Sequence, residues 1–179
     1  MKIDSSWTLF LDRDGVINKE LPGDYVKRWD EFHFEPGVLK ALAKLASLFK
    51  RIIIITNQRG VGIGRMTENE LLFLHQQMCD KISKEGGRID DIFYCIDKDR
   101  NSPYRKPNTA MALNAKNKYP EIDFLKTIMV GNSPSDMEFG RALGMKTVFI
   151  DDKKSRNGHK DSSMDYVYLD LEEMLSLLE

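Results

Sequence analysis

The chain has 179 residues, 41% of them hydrophobic and 31% charged, enough for one domain with a sizeable core. Its 27 Lys and Arg against 28 Asp and Glu leave a net charge of −1, which argues against a general nucleic-acid or anionic-membrane binder, since those carry a basic excess. Two cysteines, Cys79 and Cys95, cannot build a disulfide framework, the longest purely apolar runs (Ile52 to Ile55, Leu71 to Leu74) fall far short of the roughly 20 residues of a membrane span, and the N-terminus lacks a signal peptide's apolar region, so a reducing, cytoplasmic setting is expected.

Short apolar runs alternate with helical patterns, the signature of a parallel sheet with helices on both faces. Thr8 to Leu11 reads as a buried strand ending at Asp12. Pro36 and Gly37 introduce a helix with Val38, Leu42, Leu45 and Phe49 on one face. Arg51 to Thr56 is a central β-branched strand, followed by a glycine-rich loop, Gly60 to Gly64. Thr67 and Glu70 form a capping box at the start of the next helix, whose apolar face is Leu71, Leu74, Met78 and Ile82 and which Gly86-Gly87 ends. Asp91 to Ile96 is a strand, Asn108 to Lys118 a helix, Thr127 to Val130 a strand, and Ser133 to Leu143 a helix stopped by Gly144. Thr147 to Ile150 is a strand, Asp151 to Ser163 a charged surface loop, Tyr166 to Leu169 a short strand, and Asp170 caps a final helix. The expected fold is a single three-layer, Rossmann-like α/β domain over residues 1–179, with a mostly parallel central sheet and no large cap.

In open α/β sheets a ligand sits outside the carboxyl ends of the strands, so the residues there carry the argument. After the first strand comes Asp12-Arg13-Asp14-Gly15. Two acids spaced by two point the same way on an extended segment, or a turn at Gly15 fans them around one point. One carboxylate can attack phosphorus and a neighbour can move protons, while a surface turn is the plain alternative. Thr56-Asn57-Gln58 offers a hydroxyl and amides to an anionic oxygen, or a Thr that caps backbone. Arg105-Lys106-Pro107 offers a cation for phosphate, or a solvated basic pair. Gly131-Asn132-Ser133-Pro134-Ser135-Asp136 offers oxygens to Mg²⁺, or a helix N-cap at Ser133 with Asp136 in the first turn. Each signal is modest alone. Together, at four strand ends, they describe metal-assisted phosphoryl transfer on a small-molecule phosphate ester.

This constellation resembles the haloacid dehalogenase-like phosphatases. FLDRDGVIN, FEPGV, ITNQRGVGIG and RKP are similar to the branch of the histidinol-phosphate and D-glycero-D-manno-heptose 1,7-bisphosphate phosphatases, and the TNQ loop with RKP also resembles polynucleotide 3′-phosphatase domains. The resemblance implies that Asp12 is the nucleophile and Asp14 the acid/base. It implies that Thr56 and the region of Asn57 and Gln58 bind the phosphoryl group, Lys106 balances its charge, and Arg105 reaches the rest of the substrate. Mg²⁺ is then held by Asp12, the Asp14 carbonyl and Asn132, with Asp136 nearby. The order of expected substrates is heptose bisphosphate, histidinol phosphate, then a nucleic-acid 3′-phosphate, which the −1 charge disfavours.

The chain departs from that branch in three places. The zinc-loop positions read Cys95, Asp97, Ser102 and Tyr104, so a structural Zn²⁺ is not expected. The usual Gly-Asp is Gly131-Asn132, which removes one negative charge and raises the alternative of a catalytically weak phosphometabolite-binding protein. Ser133 and Ile63 stand where basic residues are common, with Arg65 just beyond Gly64. His33 reads as a loop residue, His75 as a helix-face residue and His159 as exposed; Tyr25, Trp29, Phe32 and Phe34 read as a site wall or as packing, and Asp151-Asp152 as turn acids.

Overall fold

A computed structural model describes residues 1–151 and 164–178. Asp152, His159 and most of the expected charged loop lie outside the described residues. In chain order the elements are β1 (Thr8–Leu11), α1 (Val38–Leu48), β2 (Arg51–Asn57), α2 (Arg59–Gly62), α3 (Glu68–Lys84), β3 (Asp91–Cys95), α4 (Ala110–Lys118), β4 (Thr127–Gly131), α5 (Pro134–Ala142), β5 (Lys146–Ile150), β6 (Tyr166–Tyr168) and α6 (Leu171–Met174), with a short 3-10 turn at Leu175–Leu177.

All six strands are parallel, in the order β3-β2-β1-β4-β5-β6. Both faces are covered, because successive side chains of a strand point to opposite sides. Leu9, Leu11, Ile52, Ile54, Ile128 and Val130 pack toward α1, α3 and α6. The alternate residues Phe10, Ile53, Ile55 and Met129 pack toward α4 and α5. Ile52 to Ile55 are all 0% exposed, and full burial of each such side chain contributes about 1.5–3 kcal/mol. The chain builds outward from β1 to β2 and β3, then crosses back to place β4 on the other side of β1. That reversal opens a crevice at the carboxyl ends of β1 and β4, where doubly wound sheets bind ligands.

Two expectations change. The glycine-rich stretch after β2 is not a plain loop: Arg59–Gly62 closes into one helical turn. A Cβ on Gly60 would lie 2.9 Å from the Tyr25 ring, and one on Gly62 would lie 2.0 Å from the Ile96 carbonyl, so the turn fits its neighbours only without side chains. The final helix is also split between α6 and the 3-10 turn. The aromatic residues of the loop after β1 pack among themselves and on the core. Trp29 stacks on Phe32 at 5.2 Å, Phe34 meets Phe32 edge-on at 5.1 Å, and Phe32 and Val26 are buried beside α1. Tyr25 of that group lies against Gly60 in the turn after β2. Both cysteines are free, and no helix among the described residues is long and apolar enough to cross a membrane.

Candidate active site

Asp12 follows β1 directly, and its N–H extends the sheet ladder by donating to the Val130 carbonyl at 2.9 Å. Its Oδ1 accepts from the Arg13 N–H at 2.8 Å and pairs with Lys106 Nζ at 2.9 Å. The Lys106 ammonium reaches two further oxygens, Asp136 Oδ1 at 2.7 Å and the Ile55 carbonyl at 2.7 Å. All three of its N–H groups are thereby used on a side chain that is 1% exposed. Burial pulls the Lys106 pKa down, but the two carboxylates outweigh it and hold the lysine above its ordinary value, so it is charged.

Asn57 sets where Lys106 enters. Its Oδ1 accepts from the Lys106 N–H at 3.0 Å and its Nδ2 donates to the Lys106 carbonyl at 3.2 Å. The Lys106–Pro107 peptide is cis. Asp136 is the N3 residue of a capping box on α5, where its Oδ2 accepts from the Ser133 N–H at 3.0 Å and hydroxyl at 2.7 Å. The helix-cap reading of Ser133 to Asp136 is seen on Oδ2, while Oδ1 of the same carboxylate pairs with Lys106.

The turn at Gly15 separates the two acids of the first motif. The Arg13 carbonyl accepts from the N–H groups of Val16, Ile17 and Asn18, and Gly15 takes φ +78. Asp12 faces Lys106, whereas Asp14 is gripped elsewhere. Its carboxylate accepts from Arg13 Nη2 at 2.9 and 3.0 Å, Asn18 Nδ2 at 2.9 Å and Gln58 Nε2 at 2.9 Å. Burial pushes Asp14 up, but the Arg13 guanidinium and these donors prevail and hold it below the usual carboxylate range. Gln58 Nε2 also donates to Thr56 Oγ1 at 2.9 Å, which ties the end of β2 to the acid.

The side-chain amides of Asn57 and Gln58 are engaged within the protein. Asn57 is spent on the backbone of Lys106, and Gln58 on Asp14 and Thr56, because a buried polar group left unpaired is costly. Asn132 Nδ2 donates to Glu20 Oε1 at 3.1 Å across the mouth, and a Cβ on Gly15 would fall 1.9 Å from that same Nδ2. Arg105 is half-buried, and its Nη1 has no hydrogen-bond partner among the described residues. At the zinc-loop positions, the Ser102 hydroxyl hydrogen-bonds the Asp97 carboxylate and closes the loop. The residues that sequence reading missed are Arg13, Asn18, Glu20 and His75. A buried guanidinium between an acid and an imidazole 62 residues away has no signature in a one-dimensional pattern.

The donor set fits a hard divalent cation. Asp12 and Asp136 share a single ammonium, and Asp14 has its own guanidinium, so carboxylate is in excess at the strand ends. Burial first, and then the Asp136 carboxylate, push the Asp12 pKa up to about 7, against the pull of Lys106. Among the described residues no cluster of three or more His, Cys, Asp or Glu side chains forms a ready-made cage. The Asp12 and Asp136 carboxylates suit Mg²⁺, which keeps waters and binds through one or two carboxylates plus substrate phosphate.

Comparison with known proteins agrees with this geometry. A HAD-hydrolase-like family model matches residues 103–174. A D-glycero-alpha-D-manno-heptose-1,7-bisphosphate 7-phosphatase of Mycobacterium tuberculosis (strain CDC 1551 / Oshkosh) is 38% identical over 133 residues, 74% of this chain and 70% of that protein. A D-glycero-beta-D-manno-heptose-1,7-bisphosphate 7-phosphatase of Rhodopseudomonas palustris is 35% identical over 144 residues, 76% and 78% of the two chains. A crystal structure of D,D-heptose 1,7-bisphosphate phosphatase from B. bronchiseptica, complexed with magnesium and phosphate, superposes with a TM-score of 0.85 at 27% identity over 99% of this chain and 97% of that one. The chain belongs to the haloacid dehalogenase-like hydrolases, in the family of the D-glycero-D-manno-heptose-1,7-bisphosphate 7-phosphatases.

Proposed function

We propose that the protein is a Mg²⁺-dependent phosphomonoesterase that removes the 7-phosphate of D-glycero-D-manno-heptose 1,7-bisphosphate, as one catalytic domain in the cytoplasm. The observation that carries the chemistry is Asp12 held against buried Lys106 at the β1/β4 crevice. The names of the relatives support the substrate.

Asp12 Oδ1 is fixed by the Arg13 N–H and by Lys106, which leaves Oδ2 to attack phosphorus. The P–O bond to the sugar breaks and an aspartyl-phosphate forms. Asp14, held ionised by Arg13 and its other donors in the substrate-free site, takes up a proton as the phosphate dianion binds and gives it to the leaving sugar oxygen. The Asp14 carboxylate then takes a proton from the water that attacks the aspartyl-phosphate, which frees phosphate and restores both acids. Thr56 receives a hydrogen bond from Gln58 and keeps its own O–H to donate to a phosphoryl oxygen. Lys106 balances the negative charge throughout, and Asp136 holds Lys106 from behind. Asp12, the Asp14 carbonyl and Asn132 would hold Mg²⁺, which when bound neutralises excess carboxylate and polarises the phosphoryl group. Arg105, half-buried next to Lys106, is the residue read as reaching the rest of the substrate.

The test is a phosphatase screen with Mg²⁺ across both anomers of heptose 1,7-bisphosphate, histidinol phosphate, an oligonucleotide 3′-phosphate and p-nitrophenyl phosphate. Heptose bisphosphate is expected to give the highest kcat/KM, and Asp12→Asn to abolish turnover of every ester. Preference for histidinol phosphate would replace the substrate. Retained binding with no turnover would replace the enzyme by a phosphometabolite-binding protein.

A further inference from the structure

Arg13 is the largest fully buried side chain among the described residues, at 0% exposure. A guanidinium has five N–H donors and no acceptor, so burying it demands a partner on each side. One side is Asp14, reached from Nη2 at 2.9 Å and from Nε at 3.3 Å. The other is Nε2 of His75 on α3, 3.1 Å from Arg13 Nη1 and 62 residues away in sequence. Only Arg13 can supply the proton of that contact. Nε2 must then be the acceptor, which puts the imidazole proton on Nδ1. Nδ1 itself has no partner among the described residues, so the hydrogen bonding of His75 is spent wholly on Arg13. The Tyr94 ring packs edge-on against the imidazole at 5.8 Å, and its hydroxyl is anchored to Glu68 at 2.8 Å. Burial first, then the charge of Arg13, lower the His75 pKa to about 3, which agrees with a neutral acceptor.

We infer that His75 is a positioning residue for the hydrolysis proposed above: from α3 it holds the Arg13 guanidinium in the orientation that grips Asp14. The inference rests on the reading of Asp14 as the group that moves protons. Without an acceptor at position 75, one buried N–H of Arg13 is orphaned, and the guanidinium turns toward another partner. Asn18 and Gln58 still hold Asp14, so the site survives with its acid misplaced. The contacts of His75 run to Arg13 and Tyr94, so the loss is expected on kcat and not on KM.

Three variants test this with p-nitrophenyl phosphate and heptose 1,7-bisphosphate. His75→Leu keeps apolar bulk but removes the acceptor, and its kcat is expected to fall about tenfold or more at unchanged KM. His75→Gln presents an amide oxygen to Arg13 and is expected to return to within about threefold of wild type. His75 also lines an open groove of about 310 Å³ with Leu72, Gln76, Cys79, Ile92 and Tyr94, so added imidazole is expected to restore His75→Ala. The inference is overturned if His75→Leu keeps wild-type kcat. It is equally overturned if all three variants lose kcat in step with melting temperature and neither Gln nor imidazole helps. Nitrogen-15 NMR of the wild type gives a readout independent of turnover: Nε2 is expected unprotonated, and a proton there overturns the His75–Arg13 contact. A wild type inert on every ester would instead sink the hydrolase reading, leaving NMR to decide the contact.

Discussion

Lys106 shows how much of the site depends on one buried charge. Its ammonium satisfies two carboxylates and a carbonyl with almost no exposure to water. Lys106→Met leaves Asp12 and Asp136 buried without their cation. Removing one partner of a buried ion pair costs about 3–5 kcal/mol, so urea unfolding should report a loss of that size together with lost turnover. Asn132 is the opposite case, a position where the chain has one charge fewer. Asn132→Asp places a carboxylate beside Glu20, so it should lower the Mg²⁺ concentration for half-maximal activity and destabilise the metal-free protein. A Mg²⁺ titration with an unchanged midpoint would remove Asn132 from the cation's surroundings. For His75 the sign of the pH effect follows from its depressed pKa. Between about 6.5 and 3 the unfolded chain binds a proton that the folded one refuses. The contribution of neutral His75 is therefore complete above about 6.5 and lost as pH falls toward 3, and unfolding free energies of wild type and His75→Gln measured from pH 8 to 4 should diverge in that window.

At the level of elements, local signals were legible where the physics is local. Thr67 and Glu70 cap α3 as their spacing predicts: the Glu70 N–H donates to Thr67 Oγ1 at 3.2 Å, and Glu70 Oε2 accepts from the Thr67 N–H at 2.7 Å. Thr67→Ala should cost about 1 kcal/mol in a thermal or urea melt. The strand β2 was legible from its run of isoleucines, because only a strand covered on both faces keeps four in a row out of water. The turn after β2 was not legible, since the neighbours that crowd its glycines are Tyr25 from the loop after β1 and the Ile96 carbonyl beyond β3. Gly15 joins the two kinds of reason. Its φ of +78 is a local demand, but the 1.9 Å approach of Asn132 comes from the neighbouring strand end. Gly15→Ala should therefore lower both melting temperature and turnover, more than the loss of a helix cap does.

For the whole molecule, the reversal of strand order at β1 and β4 brings together residues from positions 12 to 136. Such an assembly stabilises itself by binding: Mg²⁺ and phosphate together should raise the melting temperature, by about 2.7 kcal/mol of stability at a hundredfold excess over Kd. An unmoved melting temperature would argue against a cation at the strand ends. By itself the sequence determined the alternation of strands and helices and the two-sided core, and it singled out Asp12, Asp14, Thr56 and Lys106 as strand-end candidates, because hydrophobic period, caps and strand-end chemistry are properties of neighbours along the chain. Only the tertiary structure decided that the Asn57 and Gln58 side chains pair with Lys106, Asp14 and Thr56, that Asp136 splits its two oxygens between α5 and Lys106, and that Arg13 is buried between Asp14 and His75. Those outcomes follow from which buried polar groups meet a partner across the crevice, and that pairing exists only once the sheet has closed.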